Sequence, residues 1–285
     1  MLYTLFTFWA ICLALLTTTT TTATPLTKRD PPPEKPDPQN RRRGVAFNNP
    51  AYVKYFTQFH NSHIKWAYNW ASDSPDVGLE FIPMLWSNRN EHTSGWFANV
   101  RKACGVIVQN PTHLLGFNEP DMCAHGAGGS CLSVTDAVQT WRTHMDTTKS
   151  YKNLMYLGSP AVTNSADADK GLNWLRDFLQ QCTGCKIDFI CIHWYADASA
   201  VQYFKNHVAA ARALAGGRPI WITEFAATGT ESQVKRFMDE VIPWLDEQVD
   251  VHRYAYFMAA PGLLVNPLGN GLSEVGRHYA TWTKP

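Results

Sequence analysis

The chain has 285 residues, 45% of them hydrophobic, and a formal net charge of +1 at pH 7. That length suffices for one large domain with a sizeable core. The charge balance gives no electrostatic case for a nucleic acid or an acidic surface as partner and fits a neutral ligand.

Residues 2–16 are almost wholly apolar and are followed by a Thr-rich stretch that includes Ala23. The run is shorter than the ~20 residues a membrane-spanning helix needs and reads as a signal peptide over residues 1–23. No Lys or Arg precedes it, so an uncleaved anchor is the alternative. Residues 24–43 are rich in Pro and charge and read as an extended linker. Within it, Lys28-Arg29 and the triplet Arg41-Arg42-Arg43 are either sites for secretory-pathway proteases or a solvated basic stretch. The expected products are a catalytic domain over residues 44–285 and a secreted protein of the extracellular space or cell wall, with a monomer as the default state. Of seven cysteines, Cys12 leaves with the signal peptide. In an oxidising compartment the other six are expected to pair in part. Cys182 with Cys185 and Cys123 with Cys131 are the plausible pairs, and Cys104 and Cys191 read as buried thiols. No second ligand pair sits at zinc spacing from Cys182-Thr183-Gly184-Cys185.

From Gly44 onward short β-rich runs alternate with helix-like segments. Strands are expected at residues 45–47, 64–69, 79–85, 113–117, 155–158, 189–193, 220–223 and 253–257. Helical spacing appears at 50–60, 134–150, 172–181, 200–214, 231–248 and 274–282. Several strands are continuous apolar runs, as strands buried on both faces are. Eight strands with helical crossovers predict a single (β/α)8 TIM barrel. A doubly wound sheet would show a Gly-rich turn after the first strand, and Asn48-Asn49-Pro50 offers none.

In such a barrel the chemistry sits at the carboxyl ends of the strands. The fourth strand ends in Gly116-Phe117-Asn118-Glu119-Pro120-Asp121 and the seventh in Trp221-Ile222-Thr223-Glu224-Phe225. Taken singly, Asn-Glu-Pro is a turn opening a helix, and a Glu after an apolar strand is a cap. Jointly, the two glutamates face each other across the mouth, as a double-displacement glycosidase requires. One carboxyl protonates the leaving oxygen while the other attacks the anomeric carbon, at a separation of ~5–5.5 Å. Asn118 is placed to bond a sugar 2-hydroxyl. Asn69, Trp70, Trp86, Trp194 and Tyr195 follow strands and are candidate sugar contacts, the rings stacking on apolar sugar faces. His193 joins them either as a group orienting the nucleophile or as a structural histidine. Asp121 and Asp197 are further acids near strand ends. Nothing in the spacing suggests a metal site or a cofactor.

Residues 66–70 (WAYNW), 81–86 (FIPMLW), 116–121 (GFNEPD), 158–161 (GSPA), 188–195 (DFICIHWY), 221–225 (WITEF) and 253–257 (RYAYF) together resemble glycoside hydrolase family 128. The resemblance runs from about Gly44 to Trp282. It implies a clan A barrel acting on β-1,3-glucan with retention of configuration and without a metal. It also implies Glu119 as acid/base, Glu224 as nucleophile, and glucan contacts mapping to Trp86, Trp194 and Tyr195. Endo-acting hydrolysis is the expected activity, with a non-catalytic glucan-binding wall protein as the alternative from another class.

Overall fold

The computed structural model describes residues 42–105, 112–148 and 155–283. The expected signal peptide, the linker up to Arg41 and the Lys28-Arg29 pair lie outside the described residues. Among the described residues there are eight parallel strands, with helices between all consecutive pairs except β2 and β3: β1 (Arg43–Phe47), β2 (Ile64–Tyr68), β3 (Glu80–Phe81), β4 (His113–Leu114), β5 (Tyr156–Leu157), β6 (Ile190–Asp197), β7 (Ile220–Thr228) and β8 (Val251–Ala259). Six pair in the order β3-β2-β1-β8-β7-β6, and β4 pairs with β5. Parallel bridges Met84–Leu115 and Gly158–Phe189 join these two groups at both ends, completing the circuit of a (β/α)8 barrel.

The helices are α1 (Lys54–Thr57), α2 (Asn90–Thr93), α3 (Trp96–Gly105), α4 (Val134–Thr140), α5 (Gly171–Gln181), α6 (Val201–Ala215), α7 (Glu231–Glu247) and α8 (Glu274–Thr281). Two expected segments differ in detail. The helix anticipated at 50–60 is a 3-10 turn over Pro50–Tyr52, capped by the Asn49 side chain, followed by α1. The one expected at 134–150 passes from α4 into a π-helical turn over Trp141–Met145. The third strand is shorter than expected, because Pro83 has no N–H to donate and the ladder resumes only as the single bridge at Met84.

Two apolar clusters divide the molecule. One, with Val45, Ala67, Ile190, Ile192, Trp194, Ile222 and Phe225, lies between the strands and the helices. The other, with Trp66, Tyr68, Met84, Leu115, Phe189, Cys191 and Trp221, fills the barrel. The interior is therefore packed, with large rings accommodated by small neighbours. A Cβ on Gly44 would lie 2.1 Å from the Trp66 ring, so only glycine fits beneath it.

The fold begins before Gly44. Arg43 is in β1 and 4% exposed. Its Nη1 donates to the carbonyls of Tyr279 (2.8 Å) and Trp282 (3.1 Å), and its Nε donates to the Tyr254 hydroxyl (3.2 Å). Arg42 donates to the carbonyls of Leu245, Gln248 and Val251 around the C-terminus of α7, where a cation complements the unpaired carbonyls. A linker boundary at residue 43 is corrected accordingly: Arg42 and Arg43 are parts of the barrel, and cleavage after the triplet would cut β1.

Both expected disulfides are present, Cys123–Cys131 and Cys182–Cys185, and Cys104 and Cys191 are buried and belong to neither bridge. Among the described residues no helix is long and apolar enough to cross a membrane.

An ionic cluster closes the floor of the barrel. Glu80 Oε2 lies 2.9 Å from Arg253 Nη2, with His113 Nδ1 3.9 Å from its other oxygen. The Arg253 guanidinium stacks 4.6 Å from the Trp221 ring centre. Burial alone would raise the Glu80 pKa, but the hydrogen bond with His113 and the charge of Arg253 outweigh it and bring it to about 2, from an ordinary 4.5. A depressed carboxyl stabilises the fold above its unfolded pKa and ceases to do so as pH falls through the folded value. Glu80 thus contributes about 3 kcal/mol at neutral pH, lost between about pH 4.5 and pH 2. Glu80→Gln should unfold at lower temperature than wild type at pH 7. Thermal melts at stepwise lower pH should then show the two curves converging near pH 2.

Candidate active site

The two glutamates reach the barrel mouth by different local routes. On β6 the alternation is regular: Cys191, His193 and Tyr195 point inward, and Ile192 and Trp194 point to the helices. On β7 it is not. Ile192 pairs with Ile222, but His193 pairs with Glu224, so Thr223 is an extra residue in the ladder. Trp221 points inward and Ile222 outward, as a strand requires. The bulge then turns both Thr223 and Glu224 toward the interior and restores Phe225 to the helix side. Bulges beside sites re-aim side chains in this way.

Glu119 follows β4 in a left-handed backbone conformation, φ 39°, and Trp70 after β2 has φ 58°. Side-chain-bearing residues hold such angles only where surrounding contacts fix them. For Glu119 these are its N–H to the Ala161 carbonyl (2.7 Å) and its carbonyl accepting from Met122 N (3.0 Å).

The side chains converge. A carboxylate oxygen of Glu119, one of Glu224 and a ring nitrogen of His193 lie within 4.8 Å of one another, all buried. His193 Nδ1 is 2.9 Å from Glu119 Oε1 and 3.5 Å from Glu224 Oε2, and its Nε2 meets the Thr223 hydroxyl at 2.9 Å. Burial opposes a charge on His193, but the Glu224 and Glu119 carboxylates outweigh it and raise the pKa above the ordinary value. Glu224 is surrounded by donors. The Trp70 indole N–H (2.7 Å) and the Tyr68 hydroxyl (3.3 Å) reach Oε1, and the Tyr195 hydroxyl donates to Oε2. Burial first, and the Glu224 charge second, raise the pKa of both tyrosines, so they remain donors.

Above this cluster lies a cleft of about 630 Å³, lined in part by Trp70, Trp86, Asn118, Glu119, Tyr195 and Glu224. Trp86 is braced by His92, 5.0 Å between ring centres, and by the Arg89 guanidinium 5.5 Å from its own. The Asn118 amide donates to the Gly128 carbonyl (3.0 Å), while its Oδ1 has no hydrogen-bond partner among the described residues.

A family model described as the glycosyl hydrolase catalytic core matches residues 44–279. Alkali-sensitive linkage protein 1 of Schizosaccharomyces pombe is 32% identical over 255 residues, 84% of this chain and 44% of that protein. The chain thus spans less than half the length of that relative. Among solved structures, a family 128 subgroup III curdlan-specific exo-β-1,3-glucanase from Blastomyces gilchristii, in complex with glucose, is 34% identical with a TM-score of 0.74, covering 86% of this chain and 100% of its own. The chain belongs to glycoside hydrolase family 128. Two further family 128 structures are endo-β-1,3-glucanases. The subgroup II enzyme of Sorangium cellulosum has 27% identity, a TM-score of 0.67 and coverage of 84% and 97%. A subgroup I mutant from Amycolatopsis mediterranei, in complex with laminaripentaose, has 25%, 0.65, 84% and 98%.

On this family 128 barrel, three residues expected at the cleft lie elsewhere. Trp194 is fully buried among Phe204 and Phe237, stacked on the latter at 5.3 Å, because it follows inward His193 by one residue on a regular strand. His193 is 0% exposed with both ring nitrogens engaged, so it braces the glutamates and does not line the cleft. Asn69 folds back on its own loop, accepting from Ala71 N and donating to the Asp73 carbonyl, as Asx turns do. Asp121 is buried and accepts from the N–H groups of Thr163 and Gly171, which anchors the loop after β5, while exposed Asp197 caps its own turn at Ser199.

The cleft also holds residues the sequence did not single out: Asn48 after β1, Thr163 and Asn164 after β5, and Phe257 and Met258 at the end of β8. All occupy strand ends. Extending the fifth strand past Gly158, to the Asn118–Ala161 and Val162–Ile192 bridges, would have pointed to Thr163 and Asn164.

Proposed function

We propose that the chain hydrolyses β-1,3-glucan with retention of configuration, Glu119 serving as acid/base and Glu224 as nucleophile. The carrying observation is the separation of the two carboxylates. Their nearer oxygens stand within 4.8 Å, which suits direct attack on the anomeric carbon; an inverting pair leaves room for a water at about 6.5–9.5 Å. The donors favour the same division of roles. Trp70, Tyr68 and Tyr195 all donate to Glu224, which favours its ionised form. Glu119 meets His193, a group able to supply or hold a proton.

Glu119, His193 and Glu224 also form a compact set of oxygen and nitrogen atoms that invites comparison with a metal site. The surroundings argue for carboxylate chemistry instead. Both oxygens of Glu224 that an ion would need already accept hydrogen bonds, Oε1 from Trp70 and Oε2 from Tyr195, with the Tyr68 hydroxyl shared between Oε1 and the Thr223 carbonyl. Hydrolysis should therefore proceed unchanged after exhaustive treatment with EDTA.

The exo-acting relative shares 34% identity with this chain, against 27% and 25% for the two endo-acting ones. Release of small products from chain ends is accordingly the mode proposed, and internal cleavage, expected from the sequence, is the second reading. The two disulfides support action outside the cytosol, and fungal wall glucan is the target proposed there. Incubation with curdlan and laminari-oligosaccharides, followed by chromatography and by NMR of the first-formed anomer, tests the proposal. Small products appearing from the start as β-anomers are expected. An early ladder of oligosaccharides would select the endo mode, a first-formed α-anomer would sink the double displacement, and the absence of any product would sink hydrolysis.

Tyr195→Phe removes one charge-assisted hydrogen bond to Glu224, so kcat/KM on laminari-oligosaccharides should fall about tenfold or more, with the melting temperature little changed.

A further inference from the structure

The segment after Glu119 has almost nothing apolar to hold it. Residues 123–128 are exposed and include only Ala124 and Ala127 as small apolar side chains. Yet Met122, Ala127 and Gly128 form part of the cleft wall. The segment is tied to the acid/base by a short set of bonds. Met122 N donates to the Glu119 carbonyl, Ser130 N to the Asn118 carbonyl (2.9 Å) and Leu132 N to the Pro120 carbonyl (2.9 Å). The Asn118 amide reaches the Gly128 carbonyl. The return strand passes so close that a Cβ on Gly129 would lie 2.2 Å from the Met122 carbonyl oxygen and 2.8 Å from that of Glu119. Both ends carry left-handed backbone, Glu119 at φ 39° and Cys131 at φ 51°. Closing the segment is the Cys123–Cys131 bond.

We infer that the Cys123–Cys131 disulfide is a positioning element for Glu119, fixing the loop that keeps its backbone left-handed and its carboxyl aimed at the leaving oxygen. The inference rests on the acid/base role proposed above. A covalent clamp is needed here because the loop buries too little surface to hold a disfavoured backbone angle by packing. The other disulfide supplies an internal control. Cys182–Cys185 sits where α5 ends, on the face of the barrel opposite the mouth.

The test compares the double variant Cys123→Ser/Cys131→Ser with Cys182→Ser/Cys185→Ser and wild type on two substrates. A laminari-oligosaccharide has a sugar leaving group that must be protonated, whereas a 2,4-dinitrophenyl β-glucoside has one that departs without a proton. Opening Cys123–Cys131 should lower kcat/KM on the oligosaccharide about tenfold, a part of the 10²–10⁴ that a general acid contributes. For the dinitrophenyl substrate kcat/KM, which reports only the step that forms the glycosyl-enzyme, should stay within about twofold, since its leaving group draws little on that acid. The Cys182/Cys185 variant should match wild type on both. Equal losses on the two substrates would reduce the bridge to a structural staple, and no loss would dismiss it; either overturns the inference. Wild type inactive on both would refute the glycosidase reading and this inference with it. Should the double variant fail to fold, the comparison is repeated on wild type reduced by a phosphine under native conditions. Alkylation and peptide mapping then show which bridge has opened.

Discussion

Glu224→Ala is expected to lower kcat/KM on β-1,3-glucan by on the order of 10⁴-fold or more, the scale seen when a nucleophile is removed. The residue is 5% exposed and is the point on which Trp70, Tyr68 and Tyr195 converge. No neighbouring carboxylate can replace it, because Glu119 approaches from the opposite wall, held at φ 39°. Alanine leaves a space beside the anomeric carbon, so added azide should restore turnover and yield an α-glycosyl azide. Glu119→Ala should behave differently. Its loss is confined to the 10²–10⁴ that a general acid supplies, is small for a dinitrophenyl leaving group, and is rescued by azide with a β-glycosyl product. Exchange of these two rescue patterns would reverse the assigned roles. Circular dichroism of each variant guards against loss of fold, since removing a buried acceptor strands its donors.

The largest stability effect is expected at Arg43. Replacing it with alanine removes hydrogen bonds to the Tyr279 and Trp282 carbonyls and the Tyr254 hydroxyl, and an ion pair with Asp246 at 3.6 Å. The carbonyls and the carboxylate are then left without their cation in a nearly closed site. Breaking a buried charge pair on one side costs about 3–5 kcal/mol, which for a domain of this size lowers the melting temperature by roughly 10 °C. Arg43→Lys should recover only part of this, because a single ammonium cannot fork between two carbonyls and a hydroxyl. A melting temperature within about 2 °C of wild type for Arg43→Ala would show that β1 does not depend on this anchor.

The barrel was legible because its longer strands carry residues that suit burial on both faces, as in Ile190-Cys191-Ile192 and Ile220-Trp221-Ile222. The two glutamates were legible because they end such strands. Trp194 was misplaced although the sequence held the correction: with His193 inward, period-2 alternation forces its neighbour outward. Arg43 was read as linker for a different reason. Its partners lie 211 and 236 residues away, and a charged side chain gives no local sign that distant carbonyls await it. The short third, fourth and fifth strands hid Thr163 and Asn164, since their ladders thin to single bridges near Pro83 and Pro160. The bonds around Glu224 were beyond reach, because they follow from a break in alternation that no residue type announces.

That break makes the address of Glu224 a matter of counting. Thr223 puts β7 out of step, so every side chain after it faces opposite to the way a regular strand would present it. Held in regular alternation, the same Trp221-Ile222-Thr223-Glu224-Phe225 segment would turn the carboxylate into the helix layer and Phe225 into the cleft. Any alignment across this segment that slides by one position therefore exchanges a reacting group for a packing one. A strand grafted with this spacing must therefore carry its bulge along with its glutamate.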